Sequence, residues 1–162
     1  MVFFFRTAPS DLRGSKILAD ITKERGIQNV AIAHSNNEYG KRLAYYYENA
    51  VKALDINVTV ITSYKDDKSD YGEEVATLVA AGGDAVAIFG YEGPGSNAII
   101  KGSIDSGGFD IFILSDEMIG NSVMDFFGDD LNKSFGLLPG SKGKGASLFS
   151  ELTKTVGIDS SG

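Results

Sequence analysis

Short, uninterrupted apolar runs alternate along this chain with helical stretches of 10–15 residues, and that alternation limits the folds open to it. Asn29-Val-Ala-Ile-Ala-His34, Ala85-Val-Ala-Ile-Phe89 and Ile111-Phe-Ile-Leu114 lack the polar alternation of a half-exposed strand. They read as strands buried on both faces. Asn57-Val-Thr-Val-Ile-Thr-Ser-Tyr64 is β-branched and half alternating, which suits a strand nearer an edge. Phe135-Gly-Leu-Leu-Pro139 is a weaker fifth strand. Between them, apolar residues recur at three- and four-residue steps over residues 11–25, 40–54, 71–81, 96–106 and 146–156. Ser10 or Asp11 offers an N-cap and Gly26 a stop for the first of these helices. Such βαβ units wind right-handed into parallel sheets. The expected fold class is therefore α/β: a three-layer sandwich around a mainly parallel, doubly wound sheet, in a single domain over residues 1–162. Only the two ends fit poorly: Val2-Phe-Phe-Phe-Arg6 is an unpaired β-like run, and Asp159-Ser-Ser-Gly162 trails off.

Composition narrows the function classes. With 15 Lys and Arg against 22 Asp and Glu, the formal charge is −7, which argues against binding the phosphate backbone of nucleic acid. No cysteine is present, so disulfides, thiolate metal sites and thiol catalysis are excluded. A single histidine makes hydrolytic triads hard to build, and no serine elbow, Walker A lysine motif or His-Glu-x-x-His pair occurs. The sequence accordingly predicts a non-enzyme with no cofactor, no catalytic residues and no metal site. The apolar run Met1-Val-Phe-Phe-Phe5, broken by Arg6, is too short for a signal-peptide core of about 7–15 residues or a membrane span of about 20.

Ligands of open parallel sheets bind beyond the carboxyl ends of the strands. That rule selects three loops: Ser35-Asn-Asn-Glu-Tyr-Gly40, Gly90-Tyr-Glu-Gly-Pro-Gly95 and Ser115-Asp-Glu-Met118. Together they carry two aromatic rings and four carboxylates, among them Tyr39, Tyr91, Glu38, Glu92, Asp116 and Glu117. A tyrosine supplies an apolar face and a hydroxyl, and a carboxylate pairs with an ammonium. The composition suits a small, partly apolar solute bearing an amino group. Plainer roles compete at each position. Asn36 and Asn37 also suit helix caps, Tyr39 and Tyr91 also suit lids on the core, and Asp116 also suits a turn. Tyr45-Tyr-Tyr47 reads as a helix face split between core and surface, His34 as a structural imidazole, and Lys65-Asp-Asp-Lys-Ser-Asp70 as a solvated loop without calcium-loop spacing.

One motif favours another class. Gly93-Pro-Gly95-Ser-Asn-Ala98 satisfies the dinucleotide fingerprint, and Asp116 follows Gly95 by 21 residues. Tyr91 and Glu92 lengthen the turn, however, and Glu92 would set a negative charge beside a pyrophosphate. A dinucleotide-binding enzyme domain stays as an alternative.

The same segments resemble a known family. Phe5-Arg-Thr-Ala-Pro-Ser-Asp11, Val30-Ala-Ile-Ala-His-Ser-Asn-Asn-Glu-Tyr-Gly40, residues 84–91, Ser103-Ile-Asp-Ser-Gly-Gly108, Ile113-Leu-Ser-Asp116 and Phe149-Ser-Glu-Leu-Thr-Lys-Thr-Val-Gly157 follow the order of the type I periplasmic solute-binding proteins. The leucine/isoleucine/valine-binding group of ABC transporters is the nearest match. The resemblance implies a two-lobed clamshell that closes on a solute and delivers it to a membrane permease, in the periplasm or outside the cell. This chain resembles the C-terminal lobe alone, with the N-terminal lobe, which in the family holds the ligand's carboxylate, absent from it. Tyr39 then matches the aromatic of the family's Tyr-Gly turn, Tyr91 the tyrosine ending the next binding strand, and Asp116 the acid that meets the ligand's α-ammonium. Glutamate is usual there, so Asp116 and its neighbour Glu117 are both candidates. Asn37 and Glu92 complete the candidate ligand contacts, the latter favouring a more cationic ligand. A sensing domain of a receptor or of an amide-responsive regulator is the alternative within the same fold.

Overall fold

A computed structural model describes residues 10–119 and 121–138 of the 162-residue chain. The element order is α1 (Asp11–Glu24), β1 (Asn29–Ser35), α2 (Glu38–Lys52), β2 (Asn57–Tyr64), α3 (Gly72–Ala81), β3 (Ala85–Phe89), α4 (Pro94–Asp105) and β4 (Phe112–Leu114). A 3-10 turn (Asp116–Met118), α5 (Asn121–Phe127), a second 3-10 turn (Gly128–Leu131) and β5 (Phe135–Gly136) follow. The expected helix over 146–156 and the run at residues 2–6 lie outside the described residues.

The five strands form one sheet in the order β2-β1-β3-β4-β5, every neighbouring pair parallel. Side chains alternate between its two faces. Val30 and Ile32 join Leu18, Leu43, Tyr47 and Val51 under α1 and α2. Ala31 and Ala33 join Leu78, Ile99, Ile100 and Phe127 under α3, α4 and α5. Both faces are therefore dry, which explains why β1 and β3 read as unbroken apolar runs. Each Val, Leu or Ile buried in these layers contributes about 1.5–3 kcal/mol. β2 lies at the edge of the sheet, in keeping with its mixed pattern, and Ile61 is exposed.

Helix starts follow their caps rather than the apolar period. Ser10 Oγ accepts from the Arg13 N–H, and Asn37 Oδ1 accepts from the Gly40 N–H at 2.8 Å. The Asn37 cap starts α2 at Glu38, two residues before the apolar pattern begins. Pro94 at the first turn starts α4 before the expected residue 96. At the far end of the sheet, Asp84 Oδ2 accepts from the backbone N–H groups of Gln28 and Asn29 at 2.9 and 2.8 Å, tying the starts of β1 and β3. Those two N–H bonds hold its carboxyl below the usual carboxylate range.

Gly14 lies inside α1 with open space where a side chain would begin. Replacing it with alanine is expected to stabilise the fold by about 0.5–1 kcal/mol, because glycine costs that much in a helix interior. Chemical denaturation showing no gain for Gly14→Ala would contradict this.

Candidate functional site

In the observed strand order the chain leaves β1 toward one edge and β3 toward the other. The crevice between the carboxyl ends of β1 and β3 is thus the switch point of the sheet. The loop after β1 leads into α2, and the loop after β3 leads into α4. The loop after β4 runs alongside the latter.

These three loops bring three of the sequence candidates together. Tyr39, in the first turn of α2, stacks on Tyr91 with ring centroids 4.8 Å apart and planes inclined by 26°. The Tyr39 hydroxyl donates to Asp116 Oδ1 at 2.5 Å. Asp116 is half-buried at the start of the 3-10 turn, and Tyr91 remains 50% exposed. An aromatic face therefore adjoins a carboxylate, with the phenol of one ring bridging the two. Burial raises the Tyr39 phenol well above its ordinary range, and the hydrogen bond and charge of Asp116 raise it further. The Ser115 hydroxyl acts in the opposite direction, and the charge of Glu117 adds slightly to the rise. At neutral pH Tyr39 is a hydroxyl donor.

The remaining candidates are arranged differently. Asn37 caps α2 through its side-chain oxygen. Glu92, Glu117 and Glu38 are exposed around the rim. Tyr47 is buried, its hydroxyl 2.9 Å from Thr22 Oγ1, whereas Tyr45 is exposed, so Tyr45-Tyr46-Tyr47 is split between core and surface. His34 Nδ1 lies 2.9 Å from the Ser35 carbonyl oxygen. In the fingerprint-like turn, the Gly93 N–H donates to Ser96 Oγ, and the single Ser96 hydroxyl proton is shared between the Tyr91 and Gly93 carbonyls. Pro94 contributes no N–H at this helix start. Fewer donors are thus left for a phosphate than the fingerprint promises. Among the described residues no group of three or more His, Cys, Asp or Glu could hold a metal ion. Nor is any described helix long and apolar enough to cross a membrane.

Two features around the site escaped the sequence reading. The first is a pair of hydroxyl-bearing strand ends beside Gly90. Ser35 pairs in register with Tyr64, and Gly90 lies beside both, since a Cβ there would sit 2.6 Å from Tyr64 Oη and 3.1 Å from Ser35 Oγ. On the other side of Gly90, Ser115 Oγ donates to its carbonyl at 2.8 Å. The second is the pair formed by Arg42 Nε and Asp11 Oδ2 at 2.6 Å, which joins α2 to the first turn of α1. The only signal available for the hydroxyl pair was a serine or tyrosine at the last position of successive strands. A concavity of about 330 Å³ also opens at the opposite end of the sheet, lined by Gly83, Asp84, Phe109, Asp110 and Asp130. It shares no residue with the three loops.

Known proteins share this fold. A sequence model described as the receptor family ligand binding region matches residues 1–135. A Leu/Ile/Val-binding protein homologue of Brucella melitensis is 26% identical over 119 residues, covering 73% of this chain and 32% of that protein. An extracellular ligand-binding receptor from Rhodopseudomonas palustris superposes with a TM-score of 0.75 at 11% identity, covering 95% of this chain and 46% of its own. The leucine binding protein LivK of Thermotoga maritima gives 0.71 at 16% identity, over 92% and 44%. A solute binding protein of an ABC transporter from R. palustris, in complex with 4-hydroxybenzoate, gives 0.66 at 20% identity, over 74% and 33%. The chain spans about a third of the length of the curated relative it matches and less than half of these structures.

Proposed function

This chain belongs to the receptor family ligand binding region, with the fold of one lobe of a type I periplasmic binding protein, and we propose that it is the C-terminal lobe of a solute-binding protein. In this reading it captures an amino acid or a related amino-bearing solute against a second, N-terminal lobe. The protein then delivers that solute to an ABC-transporter permease, in the periplasm or outside the cell. The role is binding, not catalysis.

The observation that supports the reading is the Tyr39–Tyr91–Asp116 constellation at the switch point. The stacked rings offer an apolar face of fixed orientation, and the adjacent carboxylate offers a partner for an ammonium group. Tyr39 occupies one lone pair of Asp116 Oδ1, and a carboxylate has about four such sites, so capacity remains for an ammonium. Glu92 and Glu117 on the rim bias the local field further toward cations.

A second reading is favoured by two similar structures, both determined with 4-hydroxybenzoate. An aromatic acid could lay its ring on the Tyr39–Tyr91 face, but its carboxylate would have to point away from Asp116. Titration calorimetry on the two-lobed protein separates the two. The panel is L-amino acids, their amides, polyamines and 4-hydroxybenzoate. Heat with amino-bearing solutes is the expected result. Binding of 4-hydroxybenzoate alone would favour the second reading, and binding only of sugars or inorganic anions would overturn both.

A further inference from the structure

Resting on the reading of the crevice just given, we propose that Ser115 is a positioning residue. Its buried hydroxyl, bonded twice to Gly90, holds the loop that carries Tyr91 in fixed relation to the loop that carries Asp116. Each bonded residue is the immediate chain neighbour of a site residue: Gly90 precedes Tyr91, and Ser115 precedes Asp116. The Ser115 hydroxyl donates to the Gly90 carbonyl at 2.8 Å and accepts from the Gly90 N–H at 3.4 Å. Ser115 itself is only 4% exposed.

Its backbone is anchored independently of that hydroxyl. The Ser115 N–H donates to the Ile88 carbonyl at 3.3 Å, extending the β3–β4 ladder by one residue, and its carbonyl accepts from the Met118 N–H at 3.0 Å. An alanine would keep both of those bonds. What the hydroxyl adds is the cross-link to the neighbouring loop, and a buried hydroxyl is retained at little cost only when such a bond is made.

Gly90 is confined on its other side as well. Tyr64 Oη and the Ser35 side chain leave no room for even a methyl group there. The Tyr91 loop is thus fitted between a wall of hydroxyl-bearing strand ends and the Ser115 hydroxyl. Tyr39, resting on Tyr91 and bonded to Asp116, reads out the relative position of both loops.

The test compares the 162-residue chain with its Ser115→Ala and Ser115→Cys variants. Cysteine fills nearly the same space with a weak hydrogen-bonding group, and no other cysteine in the chain can pair with it. With carbon-13-labelled tyrosines, the ligand-free parent should show ring-to-ring contacts between Tyr39 and Tyr91 by NMR, and a Tyr39 phenol that titrates later than exposed tyrosines. Both variants are expected to weaken the ring contacts and move the Tyr39 titration while the amide spectrum stays folded. L-leucine and L-lysine, as calorimetric probes of the two-lobed protein, are expected to bind the variants roughly tenfold more weakly, because small misplacements of contacting groups are costly. If neither probe binds the parent, the functional reading fails while the ring contacts still decide on the Ser115 link. Should Ser115→Ala not fold, the better-filled cysteine variant carries the test. Because the Ser115 hydroxyl also acts on the Tyr39 phenol directly, the ring contacts decide: a folded variant in which they are unchanged would overturn the proposal, whatever the Tyr39 titration does.

Discussion

Replacing Gly40 with alanine should lower the melting temperature by roughly 2–12 °C, the reverse of the effect expected at Gly14. Both glycines lie inside helices, where the exchange normally stabilises by up to about 1 kcal/mol. Gly40 differs in what surrounds it. A Cβ there would approach the Ser35 carbonyl oxygen at 2.6 Å, Ser35 Oγ at 2.7 Å and the Phe89 carbonyl oxygen at 2.9 Å. Two of these three atoms are backbone, at the ends of β1 and β3, and cannot withdraw without loosening the central strands. The alternative is for α2 to lift from the sheet, which disturbs Leu43, Ala44 and Tyr47 beneath it. Overpacking of this kind costs about 1–3 kcal/mol, and a domain of this size loses about 2–4 °C per kcal/mol. The same lift would carry Tyr39 away from Tyr91 and Asp116, so stability and ring stacking should fall together. A Gly40→Ala variant that melts with the parent would show that the close approach of α2 to the strand ends is not required.

That close approach also shows how much was legible in the sequence. The layered fold was readable because burial on both faces removes polar residues from β1 and β3, and glycines or caps punctuate the helices. Boundaries were less readable. The period of apolar residues marks where a helix touches the core, whereas its start is set by a cap, so Asn37 and Pro94 begin α2 and α4 ahead of the pattern. β4 begins one residue later than the apolar run, at Phe112, and β5 takes Phe135 and Gly136 but not Leu137 or Leu138, while residue 139 lies outside the described residues.

The candidate site divides along similar lines. Tyr39, Tyr91 and Asp116 could be singled out because loops at strand ends are short, and a rule about parallel sheets says where they converge. Their mutual arrangement could not be. Whether Tyr39 stacks on Tyr91 depends on the rise of α2 off β1, which depends in turn on the absence of a side chain at Gly40. Whether Asp116 meets the Tyr39 hydroxyl depends on the loop after β4, whose position is fixed through Ser115. Contacts across 25 to 77 residues of chain leave no local pattern, since each partner is an ordinary serine, glycine, tyrosine or aspartate in its own segment.

Asp116 carries the largest expected effect on binding. Exchanging it for asparagine preserves shape and leaves an oxygen for the Tyr39 hydroxyl to donate to, so the melting temperature should stay close to the parent's. What disappears is the charge. For an amino-bearing ligand held in a closed crevice, removing one member of a hydrogen-bonded charge pair costs about 2–5 kcal/mol, which is roughly thirtyfold or more in affinity. Glu117 and Glu92 stand on the exposed rim, where an ion pair contributes at most about 1 kcal/mol, so neither can replace Asp116. The exchange also has a consequence that needs no ligand. The negative charge of Asp116 opposes ionisation of Tyr39, so its loss should let the phenol titrate at lower pH than in the parent. Burial, the larger cause of the rise, is unchanged, and the phenol should still titrate above exposed tyrosines. The two readouts are independent. If Asp116→Asn leaves amino-acid affinity intact while Tyr39 shifts as described, the carboxylate organises the aromatic pair but does not meet the ammonium, and Glu117 or Glu92 becomes the group to exchange next. If Tyr39 does not shift either, the hydroxyl–carboxylate bond is not formed in solution, and the constellation that supports the binding role falls with it.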